Sequence, residues 1–180
     1  VQIGNSSWTS VFAGLNSTYA VRTDSALFVA GDNTYGQLGQ NDNVARSNLV
    51  QLGISSWTSI SASLTGHILG IISTGALYAW GFNQYNELGL NDKNPIMRSS
   101  PVQVGALTSW STIPVTSGTT PSRHAGAIKS DGTLWLWGFN YFGQLGLGNT
   151  TDRSSPVQLG SGTNWSALYI GGHWTAAISG

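Results

Sequence analysis

The chain contains no cysteine. That excludes disulfides, thiolate nucleophiles and the cysteine-ligated zinc and iron–sulfur centres. The compartment stays open, because a secreted protein needs no disulfide. Charge is also scarce. Lys, Arg, Asp and Glu together make 8% of the residues, against roughly 25% in an average soluble protein. Seven basic and seven acidic side chains cancel to a net charge of +0, and Lys and Arg nowhere run together. A nucleic-acid partner needs a basic stripe to pair with phosphates, so none is expected. A basic amphipathic helix for a membrane surface is missing too. No stretch approaches the roughly 18 continuous apolar residues of a membrane-spanning helix. The chain opens on Val1 without a signal peptide, and a processed or partial chain is the expectation.

What is present points to a folded, turn-rich chain. Hydrophobic residues make 40% of it, with 8 Trp, 6 Tyr and 5 Phe. Disordered chains lack such aromatics and carry excess charge. The 24 Gly and many Ser, Thr and Asn mark frequent turns.

The decisive feature is an internal repeat. Val1-Gln2-Ile3-Gly4 recurs at Val50–Gly53, Val102–Gly105 and Val157–Gly160, and a Trp follows each copy: Trp8, Trp57, Trp110 and Trp165. Further on come Leu27–Asn33, Leu77–Asn83 and Leu134–Asn140, which carry Gly31, Trp80-Gly81 and Trp137-Gly138. Each leads into a glycine-rich element: Tyr35–Gly39, Tyr85–Gly89 and Phe142–Gly146. The repeats are 1–49, 50–101 and 102–156, with a partial repeat at 157–180. Each holds about four short strand-like runs, such as the period-two alternation of Trp57–Ala62, and no amphipathic helix. Four short strands per repeat is the arithmetic of one β-propeller blade. The fold class is therefore all-β: blades of four short antiparallel strands, about three and a half in this chain. A four-stranded sheet cannot cover both of its apolar faces alone, so the repeated Trp and Leu positions are expected to pack blade against blade.

The run Leu134-Trp135-Leu136-Trp137-Gly138-Phe139-Asn140-Tyr141-Phe142-Gly143-Gln144-Leu145-Gly146, followed by Arg153-Ser154-Ser155-Pro156-Val157, resembles the regulator of chromosome condensation repeat. The resemblance covers essentially the whole chain and is similar in style to bacterial and phage members. It implies a propeller, typically seven-bladed, so the remainder of a longer chain or further copies would close the ring. It also implies the range of family roles, from binding small GTPases or chromatin to secreted bacterial inhibitors. The first repeat departs from the pattern with Ala30 where the others have Trp80 and Trp137.

Candidate chemistry is thin. His67 and His124 each lie ten residues before the Leu of the next strand, and His173 is placed at the same phase. One residue per blade reads as a hydrogen bonder that fixes a loop, because ring-related positions do not converge as a catalytic triad must. No catalytic residue, metal site or cofactor is predicted. Arg46, Arg98 and Arg153 share a phase near Asp42, Asp92 and Asp152, and read as loop ties. Gly143–Gly148 has the wrong spacing for a dinucleotide fingerprint. The irregular feature is extra length between Trp110 and His124, and variable loops on a constant scaffold are where binding concentrates. Thr116, Ser117, Thr119, Thr120 and Arg123 are accordingly the candidate binding loop.

The expected function is a non-enzymatic scaffold or binding module with a protein or glycan partner, a structural or adhesive component of a virion or cell surface; the compartment is not fixed, with an extracellular or virion setting favoured. The alternative is a regulatory propeller that binds a GTPase or another protein.

Overall fold

The computed structural model describes residues 6–53, 56–92, 96–116 and 121–180. Three four-stranded antiparallel sheets follow one another along the chain. The first is β1 (Trp8–Gly14), β2 (Ser17–Arg22), β3 (Leu27–Gly31) and β4 (Arg46–Leu52). The second is β5 (Trp57–Ala62), β6 (His67–Ile72), β7 (Leu77–Gly81) and β8 (Arg98–Gln103). The third comprises β9 (Trp110–Thr112), β11 (His124–Lys129), β12 (Leu134–Gly138) and β13 (Arg153–Gln158). A last sheet holds β14 (Trp165–Ile170) and β15 (Thr175–Ser179), with β10 (Val115–Thr116) added from the third repeat. These are propeller blades, about three and a half of them.

Register repeats with the sequence. Ser17 pairs with Gly31, His67 with Gly81 and His124 with Gly138. Those three glycines close the third strand of each blade at φ of 110°, 91° and 96°. A Cβ on Gly81 would stand 2.1 Å from the Gly66 carbonyl oxygen, and one on Gly31 2.3 Å from that of Asn16. The next residue donates its N–H to the same carbonyl: Asp32 to Asn16, Phe82 to Gly66 and Phe139 to Arg123. Only glycine allows both the turn and the close approach.

The core lies between blades, not within them. Tyr19, Val21, Leu27, Val29 and Leu38 of the first blade meet Trp57, Ile60, Ile68 and Trp80 of the second. Leu69, Ile71, Leu77 and Leu88 of the second meet Trp110, Ile113, Ala125 and Trp137 of the third. A third cluster joins Leu134 and Leu136 to Leu168 and Ile170. Strand alternation makes this possible: Ile68 faces backward along the ring while Leu69 faces forward. Trp57 and Trp110 are accordingly buried, whereas Trp8 and Trp165, in the two end blades, are half-buried. Val11 and Ile178 are exposed on those blades.

The strand order also sorts the loops. Connections from first to second strand and from third to fourth strand leave the same end of every blade. The tight turns carrying Asp24, Gly75 and Asp131 leave the other.

Candidate functional site

The first two seams between blades are each locked by a hydrogen bond from a tryptophan, and at the third the Thr175 hydroxyl donates to the Gln144 carbonyl instead. The indole N–H of Trp80 donates to the carbonyl of Gln37, and that of Trp137 donates to the carbonyl of Glu87, each at 2.8 Å. The acceptor always belongs to the preceding blade. Ala30 takes the tryptophan position in the first blade, which has no preceding blade among the described residues. There Tyr19 donates its hydroxyl to Gln37 from within the same blade. The glycine-rich element presenting these carbonyls is fixed by its own side chains. Asn33, Asn83 and Asn140 accept from the backbone N–H groups of Leu38, Leu88 and Leu145. Gln37, Glu87 and Gln144 accept from those of Tyr35, Tyr85 and Phe142.

His67 and His124 are buried at the blade interfaces. His67 Nδ1 lies 2.9 Å from the Thr65 hydroxyl, which donates to the Ser122 carbonyl of the next repeat. His124 Nε2 lies 2.9 Å from the Thr175 hydroxyl. Burial pushes both imidazoles down, His67 to about 3 and His124 to about 4, with the charge of the neighbouring histidine adding to it. Both act as neutral ties between blades. His173 does not share their position. β15 starts at Thr175, ten residues after Trp165, the same interval as from Trp57 to His67. His173 is exposed in the loop before that strand, where the Gly171 N–H donates to the Trp174 carbonyl. The paired glycines and the identity of the histidine obscured the ten-residue interval. Among the described residues no three His, Asp or Glu side chains stand close enough to hold a metal ion.

Arg46 and Arg98 pair with Asp42 and Asp92. Arg153 instead donates to Asn149 Oδ1 and to the carbonyls of Thr151 and Asp152. All three brace the long loop that follows the third strand. Glu87 stands where the other blades have glutamine, and it is fully buried. Burial pushes its carboxyl up to about 7, against hydrogen bonds and the positive field of Arg123. Its Oε1 has no hydrogen-bond partner among the described residues.

The face bearing these loops carries an aromatic track that sequence reasoning did not single out. Tyr35 meets Phe82 edge-on at 5.1 Å across the first seam, and Tyr85 meets Phe139 at 5.1 Å across the second. Tyr141 and Phe142 adjoin Phe139, and Phe142 meets His173 at 4.7 Å across the third. Tyr141 is 68% exposed, Phe142 61% and Trp174 47%. The signal was in the sequence: an aromatic stands two residues before the Gln or Glu of every glycine-rich element.

The candidate binding loop opens on this face. Its start is not a free loop: β10 runs parallel to β14, with Val115 opposite Tyr169 and Thr116 opposite Ile170. Ser117, Thr119 and Thr120 lie outside the described residues. Arg123 is exposed, its guanidinium 4.8 Å from the Tyr85 ring centre, and it forms no ion pair among the described residues. Pro121, Arg123, His173 and Trp174 line a depression of about 350 Å³ beside the track.

Family models described as the regulator of chromosome condensation (RCC1) repeat match residues 74–122 and 131–178, and a second model of the same description matches 8–37. The ultraviolet-B receptor UVR8 of Arabidopsis thaliana is 35% identical over 153 residues, 83% of this chain and 33% of that protein. The X-linked retinitis pigmentosa GTPase regulator of Canis lupus familiaris is 31% identical over 153 residues, 84% of this chain and 15% of that protein. The chain thus spans a third or less of the length of these relatives. The crystal structure of Prp20p from Saccharomyces cerevisiae superposes with a TM-score of 0.77 at 20% identity, covering 94% of this chain and 43% of that one.

Proposed function

Because the chain belongs to the regulator of chromosome condensation repeat family, we propose that its blades form part of a regulatory propeller that binds a protein partner. The observation that carries this reading is the aromatic track ending beside Arg123. Exposed aromatic rings flanking an unpaired guanidinium are the residue types that anchor protein interfaces. The partner surface they fit is apolar with a carboxylate at its edge, because Arg123 pairs with none among the described residues. The relatives include a receptor and a GTPase regulator, which favours regulation. Prp20p has binding properties to Gsp1p and histones, which is the same kind of role in another protein. A virion, adhesive or glycan-binding role draws no support from these relatives. No catalytic step is assigned to the blades.

The test starts with affinity capture and mass spectrometry to identify a partner, followed by titration of that partner in purified form. Arg123→Ala combined with Tyr141→Ala and Phe142→Ala is expected to weaken it at least about tenfold. Asp24→Ala, at the opposite end of the blades, should leave it unchanged. Binding lost with Asp24→Ala and kept with the triple variant would place the interface on the other face and end this reading.

A further inference from the structure

A second site lies in the seam between the second and third blades and includes no residue of the aromatic track. It is a cleft of about 240 Å³, lined by Leu90, Val104, Leu107, Trp110, Trp135 and Lys129 among others. The lining is mainly apolar; its polar side chains are those of Asn91, Ser155 and one cation. Lys129 is only 8% exposed. Its ammonium stands 3.6 Å from the Trp135 ring centre and 5.1 Å from that of Trp110. No carboxylate pairs with it among the described residues.

The repeat makes that lack specific. Arg22 holds the corresponding position in the first blade, over the Phe28 ring at 4.8 Å. Two residues on, Asp24 takes the guanidinium by two hydrogen bonds, of 2.9 and 2.6 Å. In the third blade Asp131 also follows Lys129 by two residues. Its Oδ1 is occupied instead by the Thr133 N–H and hydroxyl, at 3.0 and 2.7 Å. Lys129 thus has an aromatic bed like that of Arg22 but forms no ion pair with the Asp that follows it. In the second blade the position is Ile72, and the corresponding seam carries no cation: its lining is Leu52, Trp57, Tyr78 and Pro101 with loop residues. A second donor adjoins Lys129: Trp110 Nε1 has no acceptor among the described residues, whereas Trp135 Nε1 is taken by Thr133. An ammonium on a mostly buried side chain, desolvated on one side and without an ion pair, is held at a cost, and an anion that brings apolar surface with it offsets that cost.

We propose that this seam binds a small amphipathic carboxylate, whose apolar body lies among Trp110, Trp135, Leu90 and Val104 and whose carboxylate receives the Lys129 ammonium. The cleft suits a ligand of about ten non-hydrogen atoms, below the usual drug-sized range. Aromatic walls favour a planar or branched body. Burial lowers the Lys129 pKa while the field of Asp131 opposes it, and a bound anion would raise it again.

Phenylacetate and its neutral amide, phenylacetamide, are the probes. They are titrated into the intact protein labelled with ¹⁵N at tryptophan, and the indole signals are followed. Phenylacetate should shift Trp110 and Trp135 saturably, with phenylacetamide at least about tenfold weaker. Lys129→Ile copies the residue of the second blade and should weaken phenylacetate by a similar factor. Should that variant not fold, the acid-against-amide comparison in the unaltered protein still decides. Equal binding of acid and amide overturns the proposal. So does unchanged binding by a folded Lys129→Ile variant, a shift confined to Trp57, or no saturable shift below about 10 mM.

Discussion

Trp137 of the third blade hydrogen-bonds the backbone carbonyl of Glu87 in the second, at 2.8 Å and out of contact with solvent. A fully buried side chain of one sheet thus holds the loop of the sheet before it. Trp80 and Gln37 repeat the relationship one blade earlier. Stability along the chain is therefore set at the seams, where each blade depends on its neighbour.

Trp137→Phe keeps most of the packing and leaves the Glu87 carbonyl without its donor. The expected cost is about 1–3 kcal/mol. Trp137→Ala and Trp110→Ala also open a cavity and should cost about 3–5 kcal/mol each. Trp8→Ala removes a half-buried ring and should cost only about 1–2 kcal/mol. Urea denaturation of the four variants ranks them. A Trp8 loss as large as that of Trp110 would contradict a core built at the seams.

Gly81 and Gly105 both have positive φ, at 91° and 63°. A Cβ on Gly81 would overlap the Gly66 carbonyl, whereas one on Gly105 meets nothing within 4 Å. Gly105→Ala should then cost only the left-handed backbone, about 1–2 kcal/mol. Gly81→Ala adds a clash with backbone that cannot rotate away, and should cost more than about 3 kcal/mol or prevent folding. Thermal melts of the two variants test the difference, and equal melting temperatures would refute it.

Much of this architecture was legible in the residues. Period-two alternation and the repeated Trp and Gly fixed four strands per blade, because each blade solves the same burial problem. Contacts made across a seam were less legible. The acceptor of Trp137 lies 50 residues away, and no local pattern announces it. His173 was misplaced because residue identity was weighed above the interval to Trp165. Thr175 keeps both the interval and the hydrogen bond to its neighbouring blade. Lys129 escaped notice for the opposite reason. Its position reads Arg, Ile, Lys down the repeats, so nothing recurs. Its meaning appears only when the two tryptophans beside it and the occupied Asp131 are seen together.

Glu87 makes the protein less stable as pH rises. Its carboxyl has a pKa of about 7 when folded against a reference of 4.5, so the folded state holds the proton more tightly. The stability this gives is complete below pH 4.5 and is lost as pH climbs through 7. The loss amounts to about 3 kcal/mol by pH 8. Glu87→Gln copies Gln37 and Gln144 and should remove the dependence, with the variant more stable than the parent at pH 8 and nearly equal to it at pH 4.5. Chemical denaturation at both pH values measures this. Parallel pH profiles for parent and variant would show that Glu87 titrates normally.

His67 and His124 work in the opposite direction and should dominate on the acid side. Their folded pKa values, about 3 and about 4, lie below the reference of 6.5. The unfolded chain therefore binds protons first. Their stabilising contribution is complete above pH 6.5 and drains away as pH falls toward the folded values. At pH 5 the loss is about 2 kcal/mol for each histidine. Two such groups outweigh the gain from protonated Glu87 over the same interval, so the parent should weaken from pH 6.5 to pH 5. Replacing both with Gln should lower stability at pH 7, because the ties to Thr65 and Thr175 are disturbed, yet flatten the acid limb. Adding zinc should leave the melting temperature unchanged, since a ligand that binds only the folded state must raise it. An acid limb that survives in the double variant would transfer the effect to the carboxylates. A zinc-dependent rise would make His67 and His124 ligands instead of ties.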